Sequence, residues 1–127
     1  MKIIIDTNRY RDFCAAVSEA VEKFRMAEEI YVPFIVLAEL RAGFACGKLA
    51  RKNEGVLEQF LNRSRVHVLF ADEDTLYEYS KIYFQLRQQG MPIPTNDIWI
   101  ASLATQHNLV LFSRDSHFDH LPQIRRL

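Results

Sequence analysis

Short apolar runs alternate along the chain with longer segments of helical periodicity. The runs at residues 2–5, 30–32, 66–70 and 109–112 are rich in β-branched and aromatic residues, and we predict that each forms a strand. The run at 2–5 ends in three consecutive isoleucines instead of alternating with polar residues, which is typical of a parallel strand covered on both faces.

The segments between these strands have the pattern of amphipathic helices. Residues 17–24 carry apolar side chains at positions i, i+3, i+4 and i+7. Pro33 is expected to close the second strand and open another helix, with Gly43 near its end. Residues 48–65 show a further helix face and hold five basic residues against two acidic ones. They are the most cationic part of the chain.

Capping residues mark the last two predicted helices. Asp72 is expected to cap the first of them, which Gly90 ends, and Thr95 is expected to cap the second, over residues 96–107. Residues 124–127 are predicted to add a final edge strand. Strands that alternate with helices in this way indicate the α/β class with a mainly parallel sheet.

Composition narrows the functional classes. A chain of 127 residues with 49% hydrophobic residues is long enough for one domain, residues 1–127, with its own core. Sixteen basic residues balance 16 acidic ones, which disfavours a highly basic protein that coats nucleic acid. Two cysteines without metal-ligand spacing, and no apolar run of membrane-spanning length, favour a cytoplasmic protein with no membrane partner.

Four acids occupy related positions in the predicted fold. Asp6 follows the first strand, Asp115 follows the fourth, and Asp97 lies in the first turn of a helix. Because the carboxyl ends of parallel strands meet at one edge of the sheet, these side chains are expected to converge there. Glu39, about one turn into the helix after the second strand, has a side chain long enough to reach the same edge.

Such a group of carboxylates repels itself. Two like charges about 4 Å apart cost roughly 1 kcal/mol in water and about 4 kcal/mol at an effective dielectric of 20. A hard divalent cation offsets this repulsion, and an oxygen-only ligand set favours Mg²⁺ or Mn²⁺ over zinc. We therefore expect a metal site suited to phosphodiester hydrolysis.

Four ordered motifs resemble those of PIN domains, and of VapC toxins in particular. They are Ile-Ile-Asp-Thr-Asn at 4–8, Leu-Ala-Glu-Leu-Arg-Ala-Gly at 37–43, Thr-Asn-Asp-Ile-Trp-Ile-Ala at 95–101 and Ser-Arg-Asp-Ser-His-Phe at 113–118. The resemblance implies a PIN-like three-layer α/β sandwich whose central, mainly parallel sheet has four to five strands flanked by helices.

The resemblance also implies an activity and partners. The activity is Mg²⁺- or Mn²⁺-dependent endoribonuclease cleavage that leaves 5′-phosphate and 3′-hydroxyl ends, with Asp6, Glu39, Asp97 and Asp115 as catalytic and metal-site residues. The implied partners are RNA, with tRNA or another structured RNA as the candidate substrate, a VapB-like antitoxin, and a second copy of the chain. The protein would then be the toxin of a toxin-antitoxin module.

Polar and basic neighbours of these acids are candidates for supporting roles. They can orient the acids or a water, or contact substrate phosphates. Ordinary turn chemistry and solvation of a helix face are the competing explanations. The candidates are Thr7, Asn8 and Ser113 for orientation, and Arg9, Arg41 and Arg114 for phosphate contacts.

Three other interpretations remain open at the sequence level. His117 and His120 have a spacing found in zinc sites, although packing or capping of His117 near Phe118 explains it more simply. A catalytically inactive PIN-like module that binds RNA or protein is the alternative function, and the intact acids argue against it. An aspartyl-phosphate phosphatase or a receiver domain is disfavoured, because Asp-Thr-Asn stands where such phosphatases have Asp-x-Asp and no early acidic pair is present.

Overall fold

Four parallel strands form the centre of the structure, a computed structural model that describes residues 1–127. The order across the sheet is β3-β2-β1-β4, so that β1 pairs with β2 on one side and with β4 on the other. All four predicted strands are present. Their bounds are β1 (Lys2–Ile5), β2 (Glu29–Pro33), β3 (Val66–Leu69) and β4 (Val110–Phe112).

Six α-helices pack around this sheet, and a short 3₁₀ helix, Ser116–His120, follows β4. The α/β class and the four-stranded parallel sheet agree with the prediction. None of the helices combines the length and the apolar character that a membrane span requires. The helices are α1 (Thr7–Cys14), α2 (Ser18–Met26), α3 (Phe34–Cys46), α4 (Ala50–Leu61), α5 (Glu73–Gln89) and α6 (Thr95–Gln106).

The direction in which the chain crosses the sheet reverses beside β1. The first two crossovers lead from β1 to β2 and then to β3, whereas the third returns past both to place β4 on the other side of β1. In open α/β sheets, ligands bind outside the carboxyl ends of the strands where this reversal occurs. A ligand site is therefore expected at the edge where β1 and β4 end.

One hydrophobic core of 29 buried residues holds the layers together. Ile3, Ile4 and Ile5 have no exposed surface, as predicted for a strand covered on both faces. Phe24 of α2 stacks on Phe13 of α1 with 4.6 Å between ring centroids. Continuous packing of this kind fixes the helices relative to the strand ends that carry polar residues.

Several predicted helix ends are confirmed, and one is wrong. Asp72 caps α5, and Gly90 ends that helix with φ +66°, a left-handed conformation that glycine adopts without strain. Asn108 follows α6 with φ +54°. Thr95 is not a cap, because α6 begins with Thr95 itself and Pro94 occupies the capping position without a side-chain hydrogen bond.

The predicted strand at residues 124–127 is also wrong. A turn joins Leu121 and Ile124, and the residues after it hydrogen bond to β4 only at Leu111. A single parallel bridge between Leu111 and Arg126 forms instead.

The helix α1 was not predicted at all. It spans eight residues and only two of its side chains are buried, so it is too short and too polar to show periodicity. The helix predicted at 17–24 is present as α2, but Val17 and Val21 of its expected apolar face are exposed.

Candidate active site

A cavity of about 400 Å³ opens at the carboxyl edge of β1 and β4. All four predicted acids contribute to its wall. Asp6 caps α1, Asp97 lies in the first turn of α6, and Asp115 caps the 3₁₀ helix. The partial positive charge of a helix N-terminus favours an acid at such positions. The lining residues are Asp6, Thr7, Asn8, Arg11, Glu39, Ala42, Asp97, Ile100 and Asp115.

Asp6 is the most deeply placed acid, with 6% of its surface exposed. One carboxylate oxygen accepts a hydrogen bond from the Arg9 backbone N–H at 3.0 Å, and the other accepts one from the Ser113 hydroxyl at 2.5 Å. Burial raises the pKa of Asp6, and the nearby charge of Asp115 adds to the increase, while the hydrogen bonds from Ser113 and Arg9 oppose it. The cavity therefore holds a carboxylate whose ionised form is poorly solvated.

Asp97 and Asp115 face each other across an imidazole. His117 Nδ1 lies 2.8 Å from Asp97 Oδ2 and 3.0 Å from Asp115 Oδ1. Burial raises the pKa of Asp97, the hydrogen bond to His117 lowers it, and the charges of Asp115 and Asp6 raise it further. One ligand atom from each of these three residues lies within 4.8 Å of the others, so this group could hold a metal ion.

Glu39 is held by two neighbouring side chains. The Thr7 hydroxyl donates to one carboxylate oxygen at 2.6 Å, and the Asn96 amide donates to the other at 3.3 Å. Both donors come from helix N-terminal turns, those of α1 and α6. These two hydrogen bonds fix the Glu39 carboxylate of α3 at the cavity wall.

Ser113 links two of the acids. Besides donating to Asp6, its buried hydroxyl oxygen accepts a hydrogen bond from the Asp115 backbone N–H at 3.0 Å. Asn8, the other residue considered for an orienting role, is exposed and lines the cavity without a side-chain hydrogen bond. The roles assigned to these neighbours remain predictions.

The three candidate arginines all have acidic partners. Arg9 is 5% exposed and pairs with Asp12 and Glu19, while its guanidinium lies 4.1 Å above the Phe112 ring. Arg114 makes two hydrogen bonds to Asp12 at 3.0 and 3.3 Å. A phosphate contact by Arg9 would therefore require this buried side chain to leave its partners.

Arg41 is more accessible than Arg9 and also paired. Its guanidinium binds Glu54 of α4 at 2.9 Å, and it does not line the acidic cavity. The structure thus places the predicted cations around the site but not inside it.

Sequence reasoning missed three residues of the site: Asn96, His117 and Arg11. His117 was assigned to packing near Phe118, whereas its ring lies between two acids. Its place two residues after Asp115 was the one available indication, since that spacing lets Asp115 cap the His117 N–H. The His117–His120 zinc pair finds no support, because the candidate ligand group contains His117 but not His120.

The arrangement is an oxygen-rich cavity with one imidazole, open to solvent and poor in apolar surface. It suits a hard divalent cation together with a phosphate ester better than an apolar ligand.

Known proteins are similar to this chain in sequence and in fold. Residues 2–124 match the PIN domain family. Ribonuclease VapC1 of Haemophilus influenzae is 31% identical over 99 residues, which cover 78% of this chain and 72% of that protein. Ribonuclease VapC2 of Rickettsia felis is 33% identical over 96 residues, which cover 75% of this chain and 70% of that protein.

A solved structure extends the likeness to the whole chain. The crystal structure of VapBC2 from Rickettsia felis, bound to a DNA fragment from its promoter, aligns with a TM-score of 0.89 at 25% identity and covers 100% of this chain and 98% of the matched one. By its fold and by these matches, the chain belongs to the PIN-domain family and, within it, to the VapC ribonucleases.

Proposed function

We propose that this protein is a metal-dependent endoribonuclease and the toxin of a VapBC-type toxin-antitoxin module. The observation that carries the proposal is the meeting of four carboxylates, distant in sequence, in one cavity of a PIN fold. RNA is the proposed substrate, with tRNA or another structured RNA as the candidate. The relatives that support this substrate are named ribonucleases.

The residues present fit a divalent cation. Burial and neighbouring negative charge raise the pKa values of Asp6 and Asp97, and the cavity wall holds four acids against one basic side chain, Arg11. Mg²⁺ or Mn²⁺ is the proposed ion, held by Asp6, Asp97 and Asp115, with Glu39 as a further ligand or a water-orienting base. When bound, the ion supplies positive charge to a phosphoryl oxygen and lowers the pKa of a water.

Hydrogen bonds within the protein hold the acids in position for RNA cleavage. Thr7 and Asn96 hold Glu39 so that its carboxylate can orient a water or accept a proton from it. Ser113 keeps Asp6 and Asp115 at a fixed separation through its two hydrogen bonds. Attack of the water oxygen on phosphorus breaks the bond from phosphorus to the 3′ oxygen, which takes up a proton, and this gives the proposed 5′-phosphate and 3′-hydroxyl ends.

A VapB-like antitoxin is the proposed protein partner. Support comes from the VapBC2 structure, in which the matching chain forms part of a VapBC assembly. We expect the antitoxin to cover the acidic cavity, because a tail that occupies the cavity would exclude RNA. Co-expression with the product of a neighbouring gene should suppress cleavage, and a stable pair without suppression would contradict this arrangement.

A homodimer is proposed as well. Tyr77 and Phe84 lie seven residues apart on α5, on one side of that helix, and are 62% and 64% exposed. Large exposed apolar side chains in one patch are typical of an interaction surface.

Residues 1–127 are proposed to act as one nuclease domain in the cytoplasm. The single buried core that joins the sheet and the helices supports one domain. The exposed free thiols of Cys14 and Cys46 suit a reducing compartment, where the RNA substrate is also found.

The experiment that tests the function is cleavage of total cellular RNA with Mg²⁺, with Mn²⁺ and with a chelator, followed by mapping of the new ends. Asp97→Asn should abolish cleavage. Asp74→Asn, an exposed acid in the first turn of α5, is the matched control and should cleave normally. RNA that stays intact with either metal, or full activity in Asp97→Asn, would contradict the proposal.

A further inference from the structure

Arg11 is the only basic residue that lines the acidic cavity. It lies in the second turn of α1 and is exposed. Its guanidinium makes no hydrogen bond and no ion pair, in contrast to Arg9, Arg41 and Arg114, each of which binds a carboxylate. The one basic side chain in the cavity wall is therefore also free to bind a ligand.

The sequence makes room for this side chain on α3. Gly43 has no side chain, and a Cβ placed there would lie 3.4 Å from Arg11 Nη2. The guanidinium thus lies against the bare surface of α3, at the boundary between the acidic cavity and a second groove of about 580 Å³. Tyr10, Leu40 and Phe44 contribute to that groove.

An acidic cavity that cleaves RNA needs a nearby basic side chain, because its carboxylates repel the phosphate backbone at the point where the RNA strand must enter. Arginine suits this purpose, since its planar guanidinium can donate two parallel hydrogen bonds to one phosphate. Contacts by Arg41 or Arg114 would first break existing ion pairs with Glu54 or Asp12. Arg11 has no such pair to break.

We propose that Arg11 binds an RNA phosphate adjacent to the scissile one and so directs the strand across the mouth of the cavity, between α1 and α3. This inference rests on the proposed ribonuclease function. Arg11 contacts substrate and not the metal, so its loss weakens RNA binding and leaves metal binding intact. The groove beyond Arg11 is the continuation of the strand's path.

The test compares Arg11→Gln with Arg25→Gln. Arg25 is also an exposed and unpaired arginine; it lies in the last turn of α2, just before β2 begins, and so at the opposite edge of the sheet. Binding of a short labelled single-stranded RNA is measured by fluorescence anisotropy over a range of salt concentrations. Each variant is placed in the Asp97→Asn background to prevent turnover. Mn²⁺ binding to the single variants is measured by calorimetry.

Arg11→Gln should weaken RNA binding about ten-fold, the effect of losing a charged hydrogen bond. The slope of log affinity against log salt should fall by about 0.7, the value for one phosphate contact on a single strand. Arg11→Lys should keep the slope and recover part of the affinity, because it retains the charge but not the paired donors. Mn²⁺ affinity should not fall, and Arg25→Gln should match its parent.

Equal affinity and equal salt slope in Arg11→Gln and its parent would overturn the inference, even if the wild-type protein cleaves RNA. So would a loss of Mn²⁺ affinity as large as the loss of RNA affinity, since that would indicate a disrupted cavity. Failure of the wild-type protein to cleave RNA would overturn the ribonuclease function instead, and the binding comparison would still decide the role of Arg11.

Discussion

The carboxylate of Asp97 lies among two other acids and one histidine, and only 16% of its side chain is exposed. Its pKa in the folded protein is raised above the ordinary value of 3.8, chiefly by burial. A group with a raised folded pKa stabilises the fold fully below its unfolded pKa, and this contribution is lost as the pH rises through the folded value. Without metal, the ionised form of Asp97 therefore destabilises the protein at neutral pH.

Asp97→Asn should accordingly be at least as stable as the wild type at pH 7 in the presence of a chelator. The difference in free energy of unfolding should grow as the pH rises from 3.8 through the raised pKa, and then level off. Urea unfolding at a series of pH values measures it. A wild-type advantage that increases with pH would show that the ionised carboxylate stabilises the fold.

The Ser113 hydroxyl is expected to support metal binding through its contacts with two acids. Its hydroxyl lowers the pKa of Asp6 against the effect of burial, and it also accepts the Asp115 N–H. Ser113→Ala should raise the pKa of Asp6 further, so that protons compete better with a metal ion at the same carboxylate. Mn²⁺ affinity should fall about ten-fold or more at a lower pH, close to the raised pKa of Asp6, the effect of losing a hydrogen bond to a charged group, and recover partly at a higher pH.

Ser80→Ala is the matched control for Ser113, because the Ser80 hydroxyl donates to a backbone carbonyl on the exposed side of α5. Calorimetry at both pH values compares the two variants. Unchanged affinity in Ser113→Ala would mean that its hydrogen bonds do not support the metal site.

At the scale of elements, the sequence predicted those strands and helix ends that depend on a residue and its neighbours in the chain. Consecutive isoleucines predict the buried strand β1, and Asp72 and Gly90 predict both ends of α5, because each acts through its own backbone and neighbours. The helix α1 was not predicted because its stability comes from tertiary contacts. One of these joins the rings of Tyr10 and Phe60, whose centroids are 5.3 Å apart. Periodicity cannot report contacts made by so short a segment.

In the candidate site, too, some residues could be predicted from the sequence and others could not. The acids could be predicted because strand ends converge in any parallel sheet. The placement of His117, Asn96 and Arg11 depends on rotamers and on the angle between helices, which the sequence does not encode locally. The environment of Arg9 is a similar case, because only the tertiary structure buries it against Phe112.

The exposed apolar side of α5 leads to a prediction about assembly. Phe84→Glu should convert the proposed dimer to a monomer, because a charge would be buried unpaired in the interface. Size-exclusion chromatography with light scattering measures the mass. Val21→Glu, an apolar-to-acidic change at an exposed position of α2, should leave the mass unchanged. A dimer that persists in Phe84→Glu would place the interface elsewhere.

At the scale of the whole molecule, the C-terminal residues brace the loop that carries Asp115. The Arg126 guanidinium donates to the Ser113 and Asp115 carbonyls at 2.9 and 3.0 Å and pairs with Asp119 at 2.5 Å. Backbone hydrogen bonds on both sides of Arg126 attach the same segment to Leu111 of β4. Sheet, loop and terminus therefore form one connected unit.

Arg126→Ala should lower the free energy of unfolding by about 2 kcal/mol, through the loss of charged hydrogen bonds to two carbonyls. It should also reduce RNA cleavage, because Asp115 loses its fixed position. Hydrogen exchange over residues 113–120 and cleavage rates measure the two effects. Arg125→Ala is the matched control, since the neighbouring arginine binds only Asn108. Equal behaviour of the two variants would show that the brace is dispensable.

This bracing has a consequence for the order of events during synthesis. The hydroxyl that binds Asp6 comes 107 residues later in the chain, and the guanidinium that steadies the Asp115 loop comes later still. A growing polypeptide on the ribosome therefore lacks the hydroxyl that binds Asp6 until residue 113 has emerged, and it lacks the brace of the Asp115 loop until residue 126 has emerged. We therefore expect a nascent chain to gain its full capacity to cut the surrounding RNA only late in translation of this stretch.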